Sequence, residues 1–526
     1  MKTTSSRFIS HPDGPSNTLN VDEVWITLVR EIERVQRETV QKPDPKTLLS
    51  TYVGLGGTLM MSRLVTSFSE LGPPHDTIGR SNLSYAMSVT NIEQMVRILY
   101  RALQASDWYP QTGSKVSFLE TPIGISTVIL LYLIESGNGM KLDARTIEGR
   151  KLEGWEVCAE ILHSGVEVVA RESRETPDVD DGCEILYGRA GLLYALLRLR
   201  ASVYRCVPRP REDDKDGRSK KLWHLISDDI LGIVINSIIE RGRLGARFLA
   251  EDVAGGNSGN PSPLMWSWHQ KRYIGAAHGT AGILHILLMC PTQLVSPYVS
   301  EILGTIEWLI RQQDQDGNWP SSLKPKDHEG SENDLVQWCH GAPGMLFLYS
   351  TLIRRCHTHP TIFRLTPNLA SSLIASLHNA EVLVYNRGFL RKGVGLCHGV
   401  SGSVYALLAA SDAIALLRPN SNQHQQLQID RYDEFSRAYF LHAVHLAHLA
   451  TSYRELESQR EMKTPDRPWS LYEGSAGMCC AWAEVYDRLS TTGRNLSSSG
   501  DEPEGTRLHW ARSRSGMPGF DDMIID

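Results

Sequence analysis

The stretch that decides the reading is Arg391-Lys392-Gly393-Val394-Gly395-Leu396-Cys397-His398-Gly399-Val400-Ser401-Gly402, taken with the related Trp338-Cys339-His340-Gly341-Ala342-Pro343-Gly344 upstream of it. A thiol and an imidazole at adjacent positions cannot share one face of a helix, but glycines on either side free the backbone to aim both at one point. Cys397 and His398 are therefore read as two ligands of one metal. Cys339 becomes the third if the fold superposes the two Cys-His-Gly-x-x-Gly frames. Two thiolates and one imidazole suit Zn(II), and three protein ligands leave a fourth position open, as catalytic sites do. A purely structural zinc would need a fourth protein ligand, for which His340 is the nearest candidate.

Working outward, the same Gly-x-x-Gly type of turn, followed by an apolar helix, recurs along the chain. It is seen at Tyr52-Val53-Gly54-Leu55-Gly56-Gly57, Leu119-Glu120-Thr121-Pro122-Ile123-Gly124, Tyr187-Gly188-Arg189-Ala190-Gly191, Ala277-His278-Gly279-Thr280-Ala281-Gly282, the two Cys-His-Gly stretches, and Tyr472-Glu473-Gly474-Ser475-Ala476-Gly477. The closing glycines, 57, 124, 191, 282, 344, 402 and 477, mark seven units, each long enough for two helices. Between them lie second amphipathic helices, such as Ile302, Leu303, Ile306, Leu309 and Ile310 at helical spacing. A helix pair cannot bury its apolar face alone, so the units must stack. Seven pairs closing on themselves give an all-α fold, an α/α toroid, with the turns gathered at one mouth. Cys339, Cys397, His398 and His278 would then converge there.

Composition narrows the partners. With 54 Lys plus Arg against 60 Asp plus Glu, the net charge of −6 supplies no general attraction to nucleic acid or to an anionic membrane. The longest apolar run, Ile123 to Ile134, is too short to span a bilayer, so no integral membrane segment is expected, while peripheral association stays open. Nine cysteines without dense spacing do not make a disulfide framework, which points to reduced thiols and a cytoplasmic protein. Residues 1–20 and 490–526 read as disordered or flexible, residues 21–489 as the barrel, and 208–221 as part of a loop insertion.

With these features assembled, the chain resembles the lanthionine synthetase C-like family, and its eukaryotic LanC-like members more than the bacterial cyclases. The matching stretches are Ser262-Pro263-Leu264-Met265 leading to Gly275-Ala276-Ala277-His278-Gly279, Gly317-Asn318-Trp319-Pro320 leading to the Cys339 turn, Lys392 to Gly399, and Pro465-Asp466-Arg467-Pro468-Trp469-Ser470-Leu471-Tyr472-Glu473-Gly474. The resemblance implies a seven-fold double α-barrel with zinc on Cys339, Cys397 and His398. It further implies addition of a thiol, glutathione in eukaryotic members, to dehydroalanine or dehydrobutyrine in peptides or proteins. The second turn departs from the family pattern, with Glu120-Thr121-Pro122-Ile123-Gly124 where a glycine-rich turn is usual.

The chemistry asks for particular groups. Thiolate is the nucleophile, and adding it to an alkene leaves an enolate that must be protonated by a nearby acid. His278 resembles the family's acid/base, and otherwise caps its own helix. His340 is an alternative acid or a partner that orients a ligand. Lys392, which matches a family lysine, and Arg189 are candidates to hold a carboxylate of glutathione or a phosphate, the alternative being solvated cations. Tyr472 and Glu473 are candidates to line the mouth. Two further functions compete: a zinc-containing protein that binds glutathione or a signalling partner without turnover, and a carbohydrate-active enzyme. The second would need paired carboxylates at the mouth, where only Glu120 and Glu473 stand.

Overall fold

The computed structural model describes residues 6–12, 21–68, 89–106, 108–137, 140–147, 149–174, 179–210, 217–253, 261–323, 334–417, 426–496 and 516–523. Among them fifteen helices of nine residues or more follow one another: α1 (Val21–Val40), α2 (Leu55–Phe68), α3 (Val89–Ala105), α4 (Pro122–Glu135), α5 (Gly154–Arg174), α6 (Arg189–Cys206), α7 (Gly217–Leu225), α8 (Asp228–Val253), α9 (Thr280–Met289), α10 (Val299–Ile310), α11 (Ala342–Thr358), α12 (Pro367–Arg387), α13 (Val400–Ala415), α14 (Gln426–Leu449) and α15 (Ser475–Leu496). A short antiparallel hairpin, β1 (Arg145–Ile147) with β2 (Arg150–Leu152), precedes α5.

The helices that begin at the glycine turns form the inner ring. They are apolar nearly all round, the mark of a helix covered on every side: all ten residues of α9 and all sixteen of α13 are buried. In order, α2, α4, α6, α9, α11, α13 and α15 each pack on the next, and α15 returns to α2, closing the circle. The remaining long helices form the outer ring and bury one face. On α10 that face carries Val299, Ile302, Thr305, Ile306, Trp308 and Leu309. Three buried indoles wedge the rings together and donate their N–H to outer-helix carbonyls: Trp266 to Ile238, Trp319 to Leu309 and Trp482 to Ala447, at 2.8, 2.7 and 2.7 Å. The expected α/α toroid of seven helix pairs is the fold.

Several expectations need correction. The first twenty residues are not uniformly disordered. Residues 6–12 lie along the barrel, with Phe8 bridged to Leu390, Ile9 N–H on the Phe389 carbonyl and Arg391 N–H on that of Arg7; residues 1–5 and 13–20 lie outside the described residues. Part of the tail is likewise fixed, because residues 516–523 insert among the inner helices with Met517 and Phe520 fully buried. The 208–221 insertion becomes helical from Gly217 as α7, and residues 211–216 lie outside the described residues. Finally, the stretch Gly217–Asp252 is long and apolar enough by length and composition to cross a membrane, which a search for uninterrupted apolar runs overlooks. In this fold its apolar side packs on α5 and α6, so a core role accounts for it.

Neighbouring inner helices α13 and α15 share a buried charge cluster. Arg488 donates to both Asp412 oxygens at 2.8 and 3.1 Å and to Glu484 at 2.5 Å, with no exposure of its own. Removing one member of such a cluster strands the others without water. Arg488→Met should therefore lose about 3–5 kcal/mol of unfolding free energy in urea titrations, and a loss below 1 kcal/mol would show that water reaches the cluster.

Candidate metal centre

The turns are tied to one another by main-chain bonds running round the mouth. Tyr52 N–H donates to Leu119, Ile185 to Ala277, Cys339 to Cys397, Cys397 to Tyr472 and Tyr472 back to Tyr52, at 3.0, 3.2, 3.4, 2.8 and 3.0 Å. The Ser117 hydroxyl bridges the second turn to the Leu186 carbonyl. Between the fourth and fifth turns the contact is one of packing: a Cβ on Gly275 would meet the Cys339 carbonyl oxygen at 2.2 Å. The second turn, lacking a glycine at its head, uses a different device. Thr121 caps α4, accepting from Ile123 N–H, and Pro122 opens the helix.

This belt imposes one register on all seven turns. The residue before the leading glycine, or before Thr121 in the second turn, is half-buried, while both its neighbours are buried: Val53, Glu120, Tyr187, His278, His340, His398 and Glu473. These seven line the mouth. Acids stand in the second and seventh turns, and imidazoles in the fourth, fifth and sixth.

The residue one step earlier points inward, and there the thiols lie, Cys339 and Cys397 at 7 and 4% exposure. With His398 they form a group whose ligand atoms are all within 4.8 Å of one another. Two sulfurs about 2.3 Å from a tetrahedral ion are ~3.8 Å apart, so the set fits zinc in spacing as well as in donor type. Gln337 Nε2 donates to the Cys339 sulfur at 3.2 Å. Burial drives the Cys397 thiol far up, whereas the hydrogen bond from Cys397, opposed by burial, and the charge of Lys392 bring Cys339 down. The fifth and sixth turns diverge at the glycine after the histidine, left-handed at Gly341 with φ +101° and extended at Gly399 with φ −126°. Gly341 admits no side chain, because a Cβ would sit 2.0 Å from the Leu335 carbonyl oxygen. The ligand group takes His398 and not His340, so nothing here supports His340 as a fourth structural ligand.

Beside the thiols stand the other imidazoles. His278 Nδ1 is 3.0 Å from Glu184 Oε2. Glu184 is fully buried and also accepts the N–H groups of Leu186 and Tyr187 at 2.7 Å each; burial raises its carboxyl, against the pull of His278. Trp268 lies parallel to the His278 ring, 3° between planes and 6.0 Å between centroids, and Tyr273 spans His278 and His340 at 5.6 and 5.7 Å. Burial, with the charges of His278 and Lys392, pulls His340 down to about 4, and its Nδ1 has no hydrogen-bond partner among the described residues. Lys392 is exposed at the rim.

Two sequence candidates do not face the mouth. Arg189 is buried behind its turn, paired with Glu172 and donating to the Gly182 carbonyl at 3.0 Å, so it is a structural cation with no surface for a ligand. Tyr472 is also buried, stacked on Tyr52 and donating its hydroxyl to the Pro518 carbonyl at 3.0 Å. Both miss the mouth by register: Tyr187 and Glu473 occupy the lining positions of their turns. Glu184, Gln337, Trp268 and Tyr52 were not singled out in the sequence. Of these, only Glu184 carries a signal, an acid set in the otherwise apolar Cys183-Glu184-Ile185-Leu186-Tyr187 run.

Glu120 offers a test of the lining. Burial pushes its carboxyl up to about 7, the Ser50 hydroxyl at 3.0 Å opposing and the charges of Glu473 and Glu184 adding. An acid with a raised folded-state pKa holds its proton more tightly when folded, so its contribution is complete below the ordinary value of 4.5 and is lost as pH rises through about 7. Glu120→Gln should melt about 2–4 °C above wild type at pH 8 and show little gain at pH 5. Equal shifts at both pH values would place Glu120 in water.

The sequence model of the family described as lanthionine synthetase C-like protein matches residues 82–490. A Danio rerio protein named glutathione S-transferase LANCL1 is 26% identical over 297 residues, 56% of each chain. The LanC-like protein GCL1 of Arabidopsis thaliana is 29% identical over 312 residues, 59% of this chain and 56% of its own length. The chain thus spans little more than half the length of these relatives. With the family model matched over more than half of the sequence, on a toroid whose turns bring two thiols and an imidazole together, this chain belongs to the lanthionine synthetase C-like family.

Proposed function

We propose that this protein adds glutathione to dehydroalanine or dehydrobutyrine residues of peptides or proteins, at a zinc ion held by Cys339, Cys397 and His398. The observation that carries the reading is the convergence of these three donors, within 4.8 Å of one another, at a mouth that also carries the His278–Glu184 pair. The printed name of the Danio rerio relative supports glutathione as the thiol. Zinc held on two thiolates and one imidazole would supply a Lewis acid with an open position, lowering the pKa of an incoming thiol.

The chain's own residues account for the rest. The new C–S bond forms at the β-carbon of the alkene and the electron pair moves toward the carbonyl, so the α-carbon must take a proton. His278 supplies it. Glu184, fixed by two main-chain N–H groups, engages Nδ1 and leaves Nε2 for the substrate. Because burial keeps His340 uncharged near neutrality, its role is to line the site beside Tyr273. Lys392, exposed at the rim, meets a carboxylate of glutathione. All nine cysteines are free thiols, which suits a reducing compartment such as the cytoplasm.

Incubating a dehydroalanine peptide with protein and glutathione should give the thioether adduct by mass spectrometry, and a chelator should abolish it. Binding without adduct would convert the protein to a glutathione or partner sensor. The isolated protein should hold about one zinc per chain, as three converging donors make one site; full occupancy in Cys397→Ala would remove the ligand assignment. His278→Asn should keep its zinc and lose ~10²–10⁴-fold in rate, and a near wild-type rate would make His278 structural. Lys392→Ala should raise the KM for glutathione with zinc content unchanged; unaltered kinetics would leave Lys392 a bystander.

A further inference from the structure

Residues 516–523 lie beyond the span matched by the family model and outside the seven turns. They enter the space enclosed by the inner helices and fill it with Met517 and Phe520, both without exposure. Two separate contacts lead from this segment to the two thiol-bearing turns. The Pro518 carbonyl accepts the Tyr472 hydroxyl at 3.0 Å, and the Tyr472 carbonyl accepts the Cys397 N–H at 2.8 Å. The Phe520 ring packs edge-on against Trp338, 5.1 Å between centroids, and Trp338 immediately precedes Cys339. Trp338 and Tyr472 also meet each other edge-on at 5.3 Å, so one wedge braces both turns. There is no slack on the Tyr472 side: a Cβ on Gly519 would already be 3.0 Å from the Tyr472 hydroxyl.

The other end of the segment is anchored elsewhere. Asp521 lies 3.1 Å from Arg354 and 3.5 Å from His285, whose ring stacks on Phe520 at 4.2 Å. Asp522 takes the Tyr194 hydroxyl at 2.5 Å, and its carbonyl takes Arg198 at 2.8 Å. Pro518 and Phe520 thus reach the turns, Phe520 also stacking on His285 of α9, whereas Asp521 and Asp522 engage the surrounding helices.

We infer that the 516–523 segment is an internal strut that fixes the spacing of Cys339 and Cys397, with Phe520 and the Pro518–Tyr472 link as the positioning contacts. The inference rests on the reading of Cys339, Cys397 and His398 as a zinc site. Groups that orient metal ligands typically change affinity 10–100-fold when removed.

The test uses the full chain, with zinc affinity measured by competition against a chromophoric chelator, the visible spectrum of the Co(II)-substituted protein as a report of ligand geometry, and Tm. Phe520→Ala and Tyr472→Phe should each weaken zinc binding about 10-fold or more and shift the Co(II) bands. Asp522→Asn, which loosens the segment from α6 alone, should lower Tm and leave both metal readouts unchanged. If zinc affinity instead follows Tm across all variants, or stays at the wild-type value in Phe520→Ala and Tyr472→Phe, the strut is overturned and the metal site stands. If the wild-type chain takes up no zinc, the site reading falls and takes the strut with it.

Discussion

The belt round the mouth, main-chain hydrogen bonds between most neighbouring glycine turns and close backbone packing between the fourth and fifth, is the constraint on which the rest of the molecule depends. A solenoid of helix pairs is held by side-chain packing between successive repeats, which tolerates small rotations. Here most of the turns are also joined through their backbones, and a backbone link fixes both rotation and height. Every turn therefore presents the same position to the mouth and the same position to the interior. Function is then a matter of which residue type occupies two columns: thiols in the inner column of the fifth and sixth turns, imidazoles and carboxylates in the outer one.

That arrangement also decides the electrostatics. The inner column is buried, so a thiol placed there resists ionisation unless a cation or a hydrogen-bond donor offsets the loss of water. Cys397 shows the first effect and Cys339 the relief, through its neighbour's proton and the charge of Lys392. The outer column is half wet. Carboxylates stand in its second and seventh turns, Glu120 and Glu473, and imidazoles in its fourth, fifth and sixth.

Much of this was legible in the sequence because glycine turns and periodic apolar helices follow local rules. The seven turns gave the toroid, and the toroid gave the convergence of Cys339, Cys397 and His398. Register was not legible. Arg189 and Tyr472 were chosen because they sit in turns, yet one residue's displacement along an extended backbone reverses the direction of a side chain, and two place it in the helix. Nor could the ends of the chain be read. Segments 6–12 and 516–523 are short and carry few apolar residues, and what fixes them is supplied by partners remote in sequence, Leu390 for one and Trp338 and Tyr472 for the other. Glu184 lay between these cases, conspicuous as an acid in an apolar run but without a partner until His278 was placed beside it.

Closure of the ring, with α15 returning to α2 and α1 packed against both, has a kinetic consequence. An open solenoid can nucleate anywhere and grow from either end, each repeat gaining its stability as it docks. A closed one has a final docking step that joins the most distant parts of the chain, and loop-closure entropy is spent before that contact rewards it. Until then two inner helices, apolar on every side, have no partner on one flank, and an arc so exposed is prone to associate with other chains. Folding should therefore be slow and concentration-sensitive, and once complete the circle has no terminal repeat from which to fray.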